Sequence, residues 1–127
     1  MTDALLKLTA WLSPGDPVGA FAWSHGLEAA VQSGDVSDAA STEAWIAAIL
    51  RHGSGRSDAM FLAAAWRDPL DEDIADLARA LQPSRERKAE SEEQGAAFAR
   101  ATAAAWPAEG QNLDPAETAL PYPVAVG

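Results

Sequence analysis

The chain has 127 residues, a formal net charge of −10 and no cysteine. The missing cysteines exclude disulfides, zinc–thiolate sites and thiol nucleophiles, and the negative charge opposes binding to nucleic acid or to an anionic membrane surface. No apolar run reaches the roughly 20 residues that a membrane-spanning helix needs, and the start of the chain has no secretory-signal pattern. We therefore expect one small cytoplasmic domain over residues 1–127. Its acidic charge either keeps the surface soluble or attracts a basic partner protein.

The composition and periodicity predict an all-α fold, because alanine dominates and β-branched residues are few. Apolar residues at helical spacing, separated by proline and glycine, predict about six helices, at 4–12, 24–33, 41–52, 57–66, 71–81 and 84–106. We expect Ser24 and Ser84 to cap helices and Gly34 to end one. Residues 107–123 are predicted to be a loop in which Pro121, Tyr122 and Pro123 are extended.

The densest polar patch is the segment 17–28, where Ser24, His25 and Glu28 lie within five positions. A hydrolase would need the serine hydroxyl against the imidazole. Adjacent residues on a helix point about 100° apart, and the sequence lacks a strand with a nucleophile elbow. We expect no catalytic residue, although a small hydrolase that uses Ser24 and His25 remains an alternative.

A metal site is the second possibility for this segment, because His25 and Glu28 are three positions apart and could share a helix face. Two ligands are too few for nickel or zinc, and the only other histidine, His52, is distant in sequence. We expect His25 to be hydrogen-bonded locally or against Glu28. No phosphate-binding loop is present, so we predict neither a metal site nor a cofactor.

The start of the sixth predicted helix is charged all round. One interpretation is a solvated helix face; the other is that Arg85 and Glu86 reach inward to fix helix packing or a partner. Gly95 in the middle of this helix costs roughly 1 kcal/mol relative to alanine. We expect the face of Gly95, Phe98 and Thr102 to pack closely against another helix.

Residues 12–28, LSPGDPVGAFAWSHGLE, resemble the opening signature of the UreF family of urease accessory proteins. That signature reads approximately L-x-S-P-x-L-P-V-G-x-[FY]-x-[YW]-S-[HQ]-G-L-E, and Asp16 stands where it has leucine. Shorter resemblances follow in the family's order at 28–34, at Asp58, at 84–98 and at 122–127. The resemblance covers nearly the whole chain.

The resemblance implies an all-α, non-enzymatic assembly factor that forms a homodimer and bridges UreD (also called UreH) and the GTPase UreG while nickel is delivered to apo-urease. The alternative is a nickel carrier that binds the metal directly through His25 and Glu28. Family members extend beyond position 127, so we expect an incomplete UreF-like fold. The candidates for structural or partner-binding roles are Pro17, Gly19, Phe21, Ser24, His25, Gly26, Leu27, Glu28, Asp58, Arg85, Glu86 and Gly95.

Overall fold

The computed structural model of the chain describes residues 3–69, 71–107 and 120–127, with the side chain of Phe21 outside that description. The helices are α1 (Asp3–Trp11), a 3₁₀ turn (Ala20–Ala22), α2 (Leu27–Ser33), α3 (Ala39–His52), α4 (Ser54–Arg67), α5 (Glu72–Ala80), α6 (Arg85–Ala105) and α7 (Tyr122–Val126). The predicted all-α fold is confirmed: the six expected helices are present, and the described ranges contain no strand.

Polar side chains fix where three of the helices begin. Asp38 accepts a hydrogen bond from the Ser41 N–H and the Ser41 hydroxyl accepts one from the Asp38 N–H, so α3 opens with a reciprocal capping box. Asp71 caps α5 and Ser84 caps α6 through the Arg87 N–H. The expected cap at Ser84 is therefore confirmed. The structure places the starts of α3 and α4 two and three residues earlier than predicted.

The predicted cap at Ser24 is wrong. Gly26 precedes the first residue of α2, and no side chain caps that helix. The chain enters α2 through two consecutive left-handed residues, His25 at φ 51° and Gly26 at φ 78°. This turn places the Ser24 hydroxyl outside the capping position, and only its carbonyl accepts a hydrogen bond, from the Leu27 N–H. The other end follows the prediction, since Gly34 ends α2 at φ 84°.

The segment Tyr122–Val126 is helical, which corrects the expectation that Tyr122 and Pro123 are extended. Proline is tolerated in the first turn of a helix, where its missing N–H has no partner to lose. Only Pro121 keeps the expected extended conformation, at ψ 141°. Its carbonyl accepts hydrogen bonds from the N–H groups of Val124 and Ala125, at 2.9 Å each.

Helix α7 lies at the centre of the described packing, because it contacts α4, α5 and α6. Gly95 on α6 lets the two segments meet: a β-carbon there would overlap the carbonyl oxygen of Leu120 and lie 3.0 Å from the Tyr122 nitrogen. The hydroxyl of the buried Ser91 accepts a hydrogen bond from the Tyr122 N–H at 3.2 Å. The rings of Trp11 and Tyr122 both meet Phe98 edge to face. The expected close packing at Gly95 is confirmed.

Many large apolar side chains of the described residues face outward. Ile46 and Leu50 on α3 are about half exposed, and Trp66 on α4 is 75% exposed. The buried apolar residues are instead mostly small: Val18, Ala30, Val36, Phe61, Ala65, Ala75, Ala78 and Phe98. In the described part of the chain, no helix is both long enough and apolar enough to cross a bilayer.

Candidate functional site

A cleft of about 340 Å³ lies between the left-handed turn before α2 and the first turns of α6. We call it the His25 cleft. It is lined by Ala22, Trp23, Ser24, His25, Gly26, Ser84, Glu86, Arg87 and Glu90. It brings together the middle of the signature segment and the charged start of α6, which are about sixty positions apart in the sequence.

Arg87 is the central cation of this cleft. Its Nη2 lies 2.5 Å from the Asp58 Oδ2 of α4, and its Nη1 lies 3.2 Å from the Glu90 Oε2 one turn along α6. The Arg87 side chain is only 12% exposed. The Arg87–Asp58 pair joins α6 to α4, whereas the Arg87–Glu90 pair lies within α6. Breaking such a partly desolvated pair by removing one partner is costly, because it leaves the other charge buried and unpaired.

Glu90 connects this ion pair to the signature segment. Its side chain is 6% exposed, and its Oε1 accepts a hydrogen bond from the Gln94 Nε2 at 3.1 Å. The same oxygen lies 3.5 Å from the His25 Nε2. A buried carboxylate is stable only when donors surround it. Arg87 and Gln94 supply donors one turn before and one turn after Glu90 on α6, and the His25 imidazole lies beside the same carboxylate.

Asp58 has a different electrostatic environment. Burial raises the pKa of its carboxyl group, and this effect outweighs the opposing attraction of the Arg87 guanidinium. The nearby Glu90 charge also raises the pKa of Asp58, whereas His25 lowers it. The Asp58 Oδ1 and the Arg87 Nε are buried without a hydrogen-bond partner among the described residues. The cluster therefore holds its carboxylates at a cost in solvation.

The arrangement suits packing and surface contact better than it suits chemistry. His25 faces Glu90, whereas the side chain of Glu28 is exposed, so the expected His25–Glu28 contact is wrong. The described residues contain no group of three or more His, Cys, Asp or Glu placed to hold a metal ion. Ser24, His25 and Glu86 are exposed along the cleft and available to another molecule.

The inward interpretation of Arg85 and Glu86 is also wrong, since both residues are exposed. The inward-facing charged residues of this part of α6 are instead Arg87 and Glu90. The sequence carries a signal for them, because steps of three and four residues back from Phe98 reach Gly95, then Ser91, then Arg87. Extending the predicted packing face toward the start of the helix would have identified the inward cation.

The remaining candidates have local structural positions. Gly19 and Gly26 both adopt left-handed backbone conformations, at φ 77° and 78°. A β-carbon at Gly19 would meet nothing within 4 Å, and one at Gly26 would lie at an ordinary 3.7 Å from Trp45. Both glycines are therefore needed for their left-handed backbone conformation and not to let another segment pack closely against them. Pro17 is exposed and Leu27 is half-buried.

These features define a small, acidic, all-α protein whose signature segment is joined to α4 and α6 through a buried charge cluster. Residues 36–127 match the sequence model of the UreF family. The chain belongs to the UreF family. The matched range begins after the signature at 12–28, but full-length relatives align over that segment as well.

Three relatives show how far the similarity extends. The chain is 56% identical to the urease accessory protein UreF of Cereibacter sphaeroides over 127 residues, which are 100% of this chain and 57% of the relative. It is 53% identical to the protein of the same name from Methylobacterium sp., covering 96% of this chain and 52% of the relative. It is 50% identical to the protein of that name from Roseobacter denitrificans, covering 99% of this chain and 54% of the relative. The chain thus spans little more than half the length of these relatives. No solved structure matches it.

Proposed function

We propose that this protein is a non-catalytic accessory factor in urease maturation, which helps nickel to enter apo-urease in the cytoplasm. The observation that carries the proposal is the alignment of all 127 residues, at 56% identity, with a protein named urease accessory protein UreF. Nickel is the cargo of this process and not a resident cofactor of the chain. The hydrolase and nickel-carrier alternatives lose support from the position of His25, which faces Glu90.

We further propose that the chain acts by binding proteins, bridging UreD (UreH) to the GTPase UreG. The exposed apolar residues support contacts with other proteins, because monomeric proteins rarely leave large apolar patches uncovered. The same surface supports a homodimer. The net charge of −10 favours protein partners over nucleic acid.

The rim of the His25 cleft is our candidate for one of these contacts. It presents Ser24, His25 and Glu86 outward, while Arg87 and Glu90 fix the rim from beneath. A rim that is already ordered by buried ion pairs loses little conformational entropy when a partner binds.

Co-purification tests the partner proposal. The 127-residue chain and the full-length Cereibacter sphaeroides relative, as the positive control, would each be affinity-tagged and mixed with UreD and UreG. We expect the chain to retain at least one of the two proteins, and Glu86→Lys to reduce that retention. Glu93→Lys makes the same change at another exposed glutamate of α6 and is the matched control. Retention of neither protein by a folded chain would contradict the proposal.

Urease activity tests the accessory role separately. A urease-positive strain that lacks its own UreF would be supplied with the chain or with the full-length relative. The proposal expects the relative to restore activity in added nickel, and the chain to restore part of it. Equilibrium dialysis against nickel should give the same binding for the wild type and His25→Ala. Nickel binding that disappears with His25 would favour the carrier alternative instead.

A further inference from the structure

A groove of about 500 Å³ runs along one side of α3. We call it the α3 groove. Its lining comes entirely from this helix: Ala39, Thr42, Glu43, Ile46, Ala47 and Leu50. No residue of α3 is fully buried, and α4 is the main neighbour of the helix among the described residues. The groove is therefore a helix face that the described part of the chain leaves uncovered.

The spacing of residues along the groove is that of a helix-pairing seam. Ala39, Glu43, Ile46 and Leu50 follow one another at steps of four, three and four residues, which keeps them on one face of the helix. Ile46 and Leu50 are 48% and 60% exposed, and the neighbouring Ala47 is small. Large apolar side chains beside small ones allow the side chains of a second helix to pack between them. This face therefore suits another helix better than a small ligand.

The charges of α3 indicate which helix that is. The whole chain carries a net charge of −10, so two copies repel each other on average. The α3 helix is locally neutral, because its single acidic residue, Glu43, is balanced by Arg51. Both side chains are exposed, and neither forms an ion pair within the described ranges. They lie about 12 Å apart along the helix axis, which is too far for them to pair with each other.

A second copy of α3 that runs in the opposite direction satisfies both charges. Position 47 is midway between positions 43 and 51. If a two-fold axis passes beside Ala47, Glu43 of each copy lies opposite Arg51 of the other. A parallel arrangement would instead place Glu43 beside Glu43 and Arg51 beside Arg51, and like charges in such positions are destabilising. The antiparallel arrangement also places the opposite ends of the two helix dipoles side by side.

We propose that α3 pairs antiparallel with α3 of a second copy of the chain, with Glu43 of each copy facing Arg51 of the other. This inference deepens the homodimer of the proposed function and rests on it, because it specifies the surface and the direction of the pairing. A face one helix wide is small for a protein interface, so we expect a monomer–dimer equilibrium and not a permanent dimer.

Single cysteines test the direction of the pairing, since the chain has none of its own. A disulfide needs Cα atoms within about 7 Å of each other. In the antiparallel dimer Ala47→Cys lies beside the two-fold axis and meets its own copy, whereas the two copies of Ala39→Cys lie about 24 Å apart along the helices. Under mild oxidation we expect a disulfide-linked dimer from Ala47→Cys and none from Ala39→Cys. Cross-linking of both variants, or of Ala39→Cys alone, would overturn the proposal.

Sedimentation equilibrium over a range of concentrations tests the charge pairing. Glu43→Lys and Arg51→Glu should each weaken the dimer about three- to tenfold, because two exposed ion pairs are replaced by like charges. The double variant Glu43→Lys/Arg51→Glu exchanges the two charges and should dimerise almost as well as the wild type. Circular dichroism would show that each variant is folded. A double variant no stronger than the two single ones would contradict the pairing.

The apolar contact has its own matched control. Ile46→Lys should abolish the dimer, because it places two lysines close to the two-fold axis. Leu77→Lys makes the same change at a half-exposed apolar residue of α5 and should leave the dimer unchanged. Equal weakening by both variants would place the interface elsewhere and overturn the α3 pairing, while the homodimer itself would stand. A folded chain that stays monomeric at every concentration would overturn both and leave the α3 groove to a different protein.

Discussion

The carbonyl oxygen of Leu120 lies so close to the Cα of Gly95 that a β-carbon at position 95 would overlap it. Both atoms belong to the backbone, so a side-chain rotation cannot relieve the overlap. The contact fixes how α7 meets α6, and the hydrogen bond from the Tyr122 N–H to the Ser91 hydroxyl lies beside it.

Gly95→Ala should therefore destabilise the chain by about 1–3 kcal/mol, the usual cost of overpacking. The sign is informative, because the same substitution at an exposed helical position is stabilising by roughly 0.5–1 kcal/mol. Thermal or urea unfolding measures it. Gly15→Ala is the control, since its new β-carbon would lie 3.5 Å from the Ser13 Oγ, an ordinary contact. A Gly95→Ala chain more stable than wild type would show that position 95 has free space.

Two serines give a matched test of helix capping. Ser84→Ala removes the acceptor of the Arg87 N–H and should cost about 0.5–2 kcal/mol. Ser24→Ala removes an exposed hydroxyl that caps nothing, so we expect a change within about 0.5 kcal/mol. Denaturant unfolding of the two variants side by side makes the comparison. Equal losses would mean that the Ser24 hydroxyl stabilises the turn before α2.

The raised pKa of Asp58 predicts a pH dependence with a definite sign. In the folded chain Asp58 holds its proton to higher pH than in the unfolded chain, so its contribution to stability is largest in acid. That contribution is lost as the pH rises from about 4, the ordinary value for aspartate, through the raised pKa. The free energy of unfolding of the wild type minus that of Asp58→Asn should therefore fall over this window.

Asp38 should show the opposite behaviour. Hydrogen bonds from the Ser41 hydroxyl and N–H lower the pKa of Asp38 in the folded chain. Its stabilising contribution is present above the ordinary aspartate pKa and is lost as the pH falls through the lowered one. The difference between the wild type and Asp38→Asn should shrink in acid, while asparagine keeps the cap. Parallel pH profiles for Asp38→Asn and Asp58→Asn would contradict at least one of the two assignments.

The outward-facing apolar residues predict that the 127-residue chain associates in solution. Ile46, Leu50 and Trp66 are 48%, 60% and 75% exposed, and another copy of the chain would cover such surfaces. Light scattering and binding of a hydrophobic dye would detect the association. Ile46→Lys should reduce it if α3 takes part. A compact monomer with a sharp thermal transition and no dye binding is the outcome that would refute this prediction.

The sequence predicted helices best where a local signal decided the matter. The Ser84 side chain caps the start of α6, and the backbone preference of Gly34 ends α2. Both effects act within one helical turn, and both were predicted correctly. Tyr122 was predicted incorrectly, because the avoidance of helix before proline is only a tendency. Tyr122 begins α7, which packs against α4 and α6. These contacts are distant in sequence, so no local pattern predicts them.

The candidate site was predicted less completely than the fold. The signature segment pointed to His25, but its partner Glu90 lies on a helix far along the chain. The charged start of α6 suggested Arg85 and Glu86, whereas the helix turns Arg87 inward to meet Asp58. A choice among neighbouring charges depends on helix rotation, which is set by the buried face from Ser91 to Phe98. Helical spacing followed along that buried face from Phe98 toward the start of α6 identifies Arg87. The density of charged residues does not.

The position of α7 has a consequence for the order in which the chain folds. Gly127 approaches the backbone of Leu62 and Trp66, which lie about half the sequence earlier. Such contacts raise the contact order, and α7 leaves the ribosome after the helices that it packs against. The surfaces of α4, α5 and α6 that face α7 therefore stay uncovered until α7 has been synthesised. Transiently exposed apolar surface makes a folding intermediate prone to aggregate, so this interval is the vulnerable stage in the folding of the chain.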